Sequence, residues 1–139
     1  MTATHIAAFA CYAIISLFAA GFGVVYLLRP KIMPYHEEAL GKSWADLDAP
    51  LQALLLGMLR VAGGGMLCGG VAIAILLLVP FRTGEGWSAV ALSVIGFITL
   101  LPSVYATIFI RSRTGAHTPV WVGVAGMAIL LAGSLLSAL

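Results

Sequence analysis

Few side chains in this sequence can do chemistry, and the most unusual is Arg60, which stands nine residues past Leu51 in an otherwise apolar run. At ~1.5 Å per residue that is about 13 Å into a helix. A guanidinium at that depth either snorkels back to the headgroups or faces a bundle and pairs with a phenol, a backbone carbonyl or an anionic ligand. Counting the same distance back along the next apolar run reaches Pro102, Ser103, Tyr105 and Thr107. Pro102 frees a helical carbonyl, Ser103 can help satisfy it, and Tyr105 offers a hydroxyl at nearly the same depth. With Tyr26 at the end of the first apolar run, these residues predict a polar ligand site between two helices, open to one membrane interface.

The second cluster is His36, Glu37 and Glu38, with Arg111, Arg113 and His117 in another hydrophilic segment. Consecutive residues on a helix do not face one another, and no second histidine stands at ligand spacing, so no metal site is expected. Lys31 to Leu40 reads instead as a short interfacial helix, with Ile32, Met33, Tyr35 and Leu40 towards lipid and His36, Glu37 and Glu38 towards water. His117 could approach that segment, though solvation is the simpler expectation. Cys11 and Cys68 come out at equal depth when counted from the ends of their runs. There is no CxxC and no polar neighbour to lower either thiol pKa, so both are expected to be packing residues rather than a disulfide.

The elements that hold these residues follow from composition. The chain has 139 residues, 62% of them hydrophobic and 9% charged, with a mean hydropathy of +1.11. A soluble domain would expose far more apolar surface than water tolerates, so lipid is the expected solvent. Seven Lys and Arg against five Asp and Glu make no basic stripe, which argues against nucleic-acid binding. Four apolar runs, Ile6 to Leu28, Leu51 to Val79, Trp87 to Ile110 and Val120 to Leu139, are each long enough to cross about 30 Å of hydrocarbon as a helix. Pro30, Asp48, Pro50, Pro80 and Pro119 mark their ends. The predicted fold is all-α: a single membrane domain, a four-transmembrane-helix antiparallel bundle. The first run has no basic leader segment and exceeds a signal-peptide core, so it is read as a span.

Loop one, 29–50, holds Arg29, Lys31 and Lys42, and loop three holds Arg111 and Arg113, whereas loop two has only Arg82 balanced by Glu85. The positive-inside rule therefore puts loops one and three in the cytoplasm and both termini across the membrane. Tyr26, Tyr35, Trp44, Trp87 and Trp121 fall near span ends, where aromatic anchors sit. Between helices, lipid gives no hydrophobic drive, so small residues must supply close approach. The second run offers Gly63, Gly64, Gly65 and Gly69, with Gly65 and Gly69 as a GxxxG pair, and the first offers Gly21 and Gly23. Whether that pair meets a helix of the same chain or a second copy is open.

The string Met58-Leu59-Arg60-Val61-Ala62-Gly63-Gly64-Gly65-Met66-Leu67-Cys68-Gly69-Gly70 resembles the R-x-x-G-G-x-x-x-x-x-G signature of the DoxX-like group of small bacterial four-helix membrane proteins. Arg29-Pro30-Lys31-Ile32-Met33-Pro34-Tyr35-His36 through Leu40-Gly41 is similar to the loop of proteobacterial proteins of like length. The resemblance implies a bacterial inner-membrane protein. Some members of the group are accessory subunits of quinone-linked or thiol-oxidising systems, but the paired cysteines of a thiol role are missing here.

No phosphate loop, nucleophile elbow or intramembrane carboxylate appears, so the reading leans away from an enzyme and requires no cofactor. The leading expectation is a non-catalytic membrane protein that binds a lipid, a quinone-like amphiphile or a partner subunit near Arg60 and Tyr105 at the cytoplasmic interface. The alternatives are an oligomeric channel or transporter for a small solute or anion, lined by Arg60, Ser103 and Thr107, and a small membrane enzyme or redox accessory subunit. In the enzyme, His36, Glu37 or Glu38 would act as acid or base, with Arg111 and Arg113 holding a charged co-substrate.

Overall fold

A computed structural model describes residues 2–139, and among these the regular structure is entirely helical. Helix α1 spans Ala3–Leu28, α2 Pro34–Leu40, α3 Ala49–Leu76, α4 Gly86–Thr114 and α5 Val120–Leu136, with a 3-10 turn at Trp44–Asp46. Helix α3 runs on into a π-helical turn, Leu77–Phe81. The four apolar runs thus become α1, α3, α4 and α5, and the interfacial segment becomes α2. Three helices are long and apolar enough to cross a membrane, Ala3–Leu28, Ala49–Phe81 and Gly86–Thr114, and Val120–Leu136 is a shorter apolar one. At about 25 Å, α5 ends short of its expected terminus at Leu139.

The helices alternate in direction around a closed ring, α1 beside α3, α3 beside α4, α4 beside α5 and α5 beside α1. Its core is a seam of Ala8, Tyr12, Ile15, Ile73, Leu77, Phe81, Leu92, Leu100 and Leu130. Small residues set the tightest seam, between α1 and α3. A Cβ on Gly23 would come within 2.7 Å of the Gly63 carbonyl, one on Gly63 within 2.7 Å of Tyr26 Cβ, and one on Gly70 within 2.6 Å of the Ala20 nitrogen. Ser16 donates from Oγ to the Gly70 carbonyl at 2.8 Å and so pins the register. Gly63 and Gly70 are a heptad apart and share a face, which is the spacing antiparallel helices need for repeated backbone approach.

Within the chain, Gly65 and Gly69 do not meet another helix as one face. Gly69 turns towards Thr99 of α4, whereas Gly21, Gly64 and Gly65 have nothing within 4 Å of a built Cβ. Gly65 and Gly69 lie one turn apart, but α3 is gripped on two sides, by α1 and by α4, and the residues facing α1 are Gly63 and Gly70. On the far side of the bundle a large residue fills each small one: Leu130 lies over Gly96, Val104 over Gly123 and Leu100 by Gly126.

This register also fixes heights. With Gly63 beside Gly23 and Gly70 beside Ala20, Arg60 stands level with Leu28, the last residue of α1. The first three turns of α3 extend past the end of α1, alongside loop one. Counting from Leu51 therefore overstates the depth of Arg60. The same offset separates the cysteines. Cys68 stands roughly level with Ala20, about 13 Å along the axis from Cys11. Both thiols are free, Cys11 packed against Gly133 and Cys68 exposed.

The two kinds of glycine give an expected contrast in thermal unfolding in detergent. Gly63→Ala or Gly70→Ala should cost about 2 kcal/mol or more, because backbone has to move. Gly65→Ala should stay within about 0.5 kcal/mol or stabilise slightly.

Candidate functional site

At the loop end, the residues expected to form a ligand pocket do not converge. Arg60 is exposed on the outer face of α3, and Tyr105 is 69% exposed on α4, stacked against Phe109 at 6.0 Å. Thr107 spends its hydroxyl on the carbonyls of Ser103 and Val104, at 3.1 and 2.9 Å. Among the described residues no hydrogen bond or ion pair joins Arg60 to Tyr105, Ser103 or Tyr26. Their common origin in the sequence was depth alone, and depth says nothing about which face of a helix a residue takes. Arg60→Leu should accordingly leave the unfolding free energy within about 0.5 kcal/mol of wild type, measured in the same detergent assay.

What the loop end does hold is a polar cap. The hydroxyls of Tyr26 and Tyr35 are hydrogen bonded to each other, tying the end of α1 to α2. Burial, and then that bond, push the Tyr35 phenol far above its ordinary range, so it stays neutral. Burial likewise lowers the His36 pKa and favours neutral imidazole. Glu37 is half-buried, and its Oε1 accepts from the Trp44 backbone N–H at 2.8 Å. Gln52 donates to the carbonyls of Trp44 and Leu47 at 2.8 and 3.1 Å. Ile32, expected towards lipid, is instead buried, as are Leu47 and Ala116. Arg111 and Arg113 sit exposed in the last turn of α4, Arg113 over the Phe109 ring at 5.6 Å. Buried Thr118 ties the α4–α5 link to α4 by donating to the Thr107 carbonyl at 2.9 Å.

His117 is not merely solvated. Glu38 Oε2 accepts its backbone N–H at 3.0 Å, and Oε1 meets its ring Nδ1 at 2.6 Å. This latch joins loop one to the α4–α5 link across 79 residues of sequence. The His117 side-chain and backbone contacts hold the Glu38 carboxyl below the ordinary carboxylate range. Folding thus lowers this pKa. The contribution is fully present above the ordinary carboxylate value and is lost as pH falls through the folded-state value. Spin labels at positions 40 and 113 should give a narrow distance distribution near neutrality that broadens as pH falls below the ordinary carboxylate range. In Glu38→Gln the distribution should be broad throughout.

The opposite end of the bundle, where the termini and loop two meet, carries the more promising geometry. Pro80 sits inside the final turns of α3, where its ring would clash with the carbonyl four residues back and its missing N–H leaves that carbonyl free. The helix answers by widening: the Arg82 N–H reaches back five residues to the Leu77 carbonyl at 3.2 Å. This wide turn points Phe81 inwards, 3% exposed, and leaves Arg82 outside. The His5 ring stacks on Phe81 with centroids 4.3 Å apart and planes at 11°, and Tyr12 meets the same phenyl edge-on at 5.7 Å.

Two adjoining clefts share Arg82 as a wall. One is polar, lined by Thr2, His5, Arg82, Thr83 and Gly84. The other is apolar, lined by Ile6, Phe9, Leu78 and Arg82. Ile6 and Leu78 are exposed on the outer surface, so the apolar cleft opens sideways, along the α1–α3 seam. The His5 Nε2 atom is buried without a hydrogen-bond partner. Arg82 is free of any carboxylate among the described residues, and no acidic side chain lines either cleft.

Behind this corner lies a buried hydroxyl network. The fully buried Tyr12 reaches Ser93 of α4 at 2.9 Å and Ser137, just past α5, at 3.2 Å, and Ser93 donates to Ser134 at 2.9 Å. Sequence reasoning missed both network and clefts, because His5 and Arg82 sit in ordinary interfacial positions. The one available signal was Pro80 between an apolar run and an arginine. No group of three or more metal-binding side chains occurs among the described residues. Comparison with protein-family models, curated proteins and solved structures finds no match for this chain.

Proposed function

We propose that this chain is a four-span membrane protein whose work is to bind an amphiphile from the side, in the paired clefts at the π turn of α3, rather than to catalyse a reaction. The observation that supports this reading is the junction at Arg82: a polar cleft continues into an apolar one that opens laterally. A molecule with a polar head and a hydrocarbon tail matches that division, and neither a soluble metabolite nor a bare ion does. By the positive-inside rule the five cations of loops one and three belong in the cytoplasm, so the clefts lie on the opposite side of an inner membrane. The Arg60 to Gly70 string and its resemblance to the DoxX-like group agree with a bacterial inner membrane. Photo-crosslinking from a lipid that carries its reactive group in the acyl chain tests the reading. Adducts should concentrate at Ile6, Phe9 and Leu78, and Leu78→Trp, which fills the cleft, should lower them severalfold. Adducts spread evenly over the bundle surface would refute it.

A further inference from the structure

We infer that the head of this amphiphile is an anionic phosphodiester, so that the clefts form a site for anionic phospholipid. This rests on the amphiphile reading above and adds the chemistry of the head. Arg82 stands at the mouth of the polar cleft, an arginine with no carboxylate partner among the described residues. Glu85, three residues on, is exposed and lines neither cleft. The guanidinium fork matches two oxygens of one phosphate, in the geometry of the strongest charge-assisted pairs.

The imidazole supplies a second point. His5 lines the same cleft, and its Nε2, buried without a partner, would donate as an N–H to the same head once the ring turns outward. A polar atom buried without a bond carries a desolvation cost that a ligand oxygen would remove. Thr83 lines the same cleft, but its hydroxyl already donates to the Val79 and Pro80 carbonyls at 3.1 Å, so it offers only acceptor lone pairs. The donors are therefore the Arg82 cation, the His5 ring N–H and the Thr2 hydroxyl when Thr4 donates to it, a set that favours a head with several anionic oxygens over the single neutral carbonyl of a quinone.

The site also disfavours a zwitterionic choline head. A quaternary ammonium is held by an open aromatic face or a carboxylate. The Phe81 face is covered by the His5 ring, Phe9 lies in the apolar cleft, and no acid lines either cleft, so the polar cleft offers an ammonium only the like charge of Arg82. The acyl chains would follow Ile6, Phe9 and Leu78 down the α1–α3 seam.

Native mass spectrometry of the purified chain, exchanged into micelles with equal phosphatidylglycerol and phosphatidylcholine, provides the test. Phosphatidylglycerol should be retained in preference by about tenfold, which is about 1.4 kcal/mol. Arg82→Gln and His5→Phe, the second keeping a ring on Phe81, should each cut that preference at least threefold. Arg82→Lys should retain part of it, and Arg60→Gln should leave it unchanged. Equal retention of the two lipids, or a preference untouched by Arg82→Gln and His5→Phe, overturns the anionic head while leaving amphiphile binding standing. Retention of neither lipid overturns both. Displacement of the lipid by inorganic phosphate alone would show a bare anion site and overturn the phospholipid assignment.

Discussion

The backbone contact between α1 and α3 is the constraint from which the rest of the structure follows. Within a lipid phase, apolar side chains gain nothing by leaving lipid for protein, so helix pairing depends on van der Waals contact and hydrogen bonds between surfaces that come very close. Gly23, Gly63 and Gly70 bring the two backbones together, and Ser16 donates across the gap to the Gly70 carbonyl. A slip by one turn would press side chains into these gaps and break that bond. The pairing therefore has one register, and heights at both ends of the bundle are inherited from it. It sets Arg60 at the end of α1, and it sets His5 over Phe81.

The second determinant is local. A proline near the end of a helix ordinarily stops or kinks it. Here Pro80 is absorbed by a wide turn that carries the chain to Arg82 before loop two begins. The extra residue rotates the following side chains, turning a phenyl ring into the core and a guanidinium out of it. Because α1 is already locked to α3, the inward ring meets His5 and Tyr12 together. Neither feature alone would make the corner: register without the wide turn misplaces Phe81, and the wide turn without register leaves Phe81 with no partner.

The helices were legible in the sequence because length and apolarity alone define a span, and prolines mark where spans stop. The site was not, for two physical reasons. Depth along a helix can be counted from its apolar start only if neighbouring helices start at the same height, and α3 begins about three turns beyond the end of α1. This offset misled the reading of Arg60 and the two cysteines alike. Facing is the other reason. An all-apolar helix has almost no periodicity to reveal its inner side, so Gly65 and Gly63 look equivalent in sequence while only Gly63 meets another helix. Loop one was read in the right place but with the wrong exposure, since Ile32 is buried and Glu37 is bonded to the Trp44 backbone in the turn after α2.

Most polar side chains near the ends and in the middle of the bundle are paired across segments or to nearby carbonyls. At the loop end Glu37, Glu38, Gln52, Thr118 and the Tyr26–Tyr35 pair all have partners, and the bonds run between segments, so they close the end of the bundle. In the interior the Tyr12, Ser93, Ser134 and Ser137 hydroxyls satisfy one another. That network also fastens α5, the shortest of the four, to α1 and α4, where glycines leave it little side-chain surface to bury. At the terminal end the hydroxyls of Thr83 and Ser88 are spent on nearby carbonyls. His5 and Arg82 line one cleft at the edge of an apolar groove there, and the His5 Nε2 atom is buried without a partner. Unspent hydrogen bonding thus stands at both ends of the bundle, at Arg29 beside loop one and at His5 beside Arg82, but only the second adjoins an apolar groove that opens sideways.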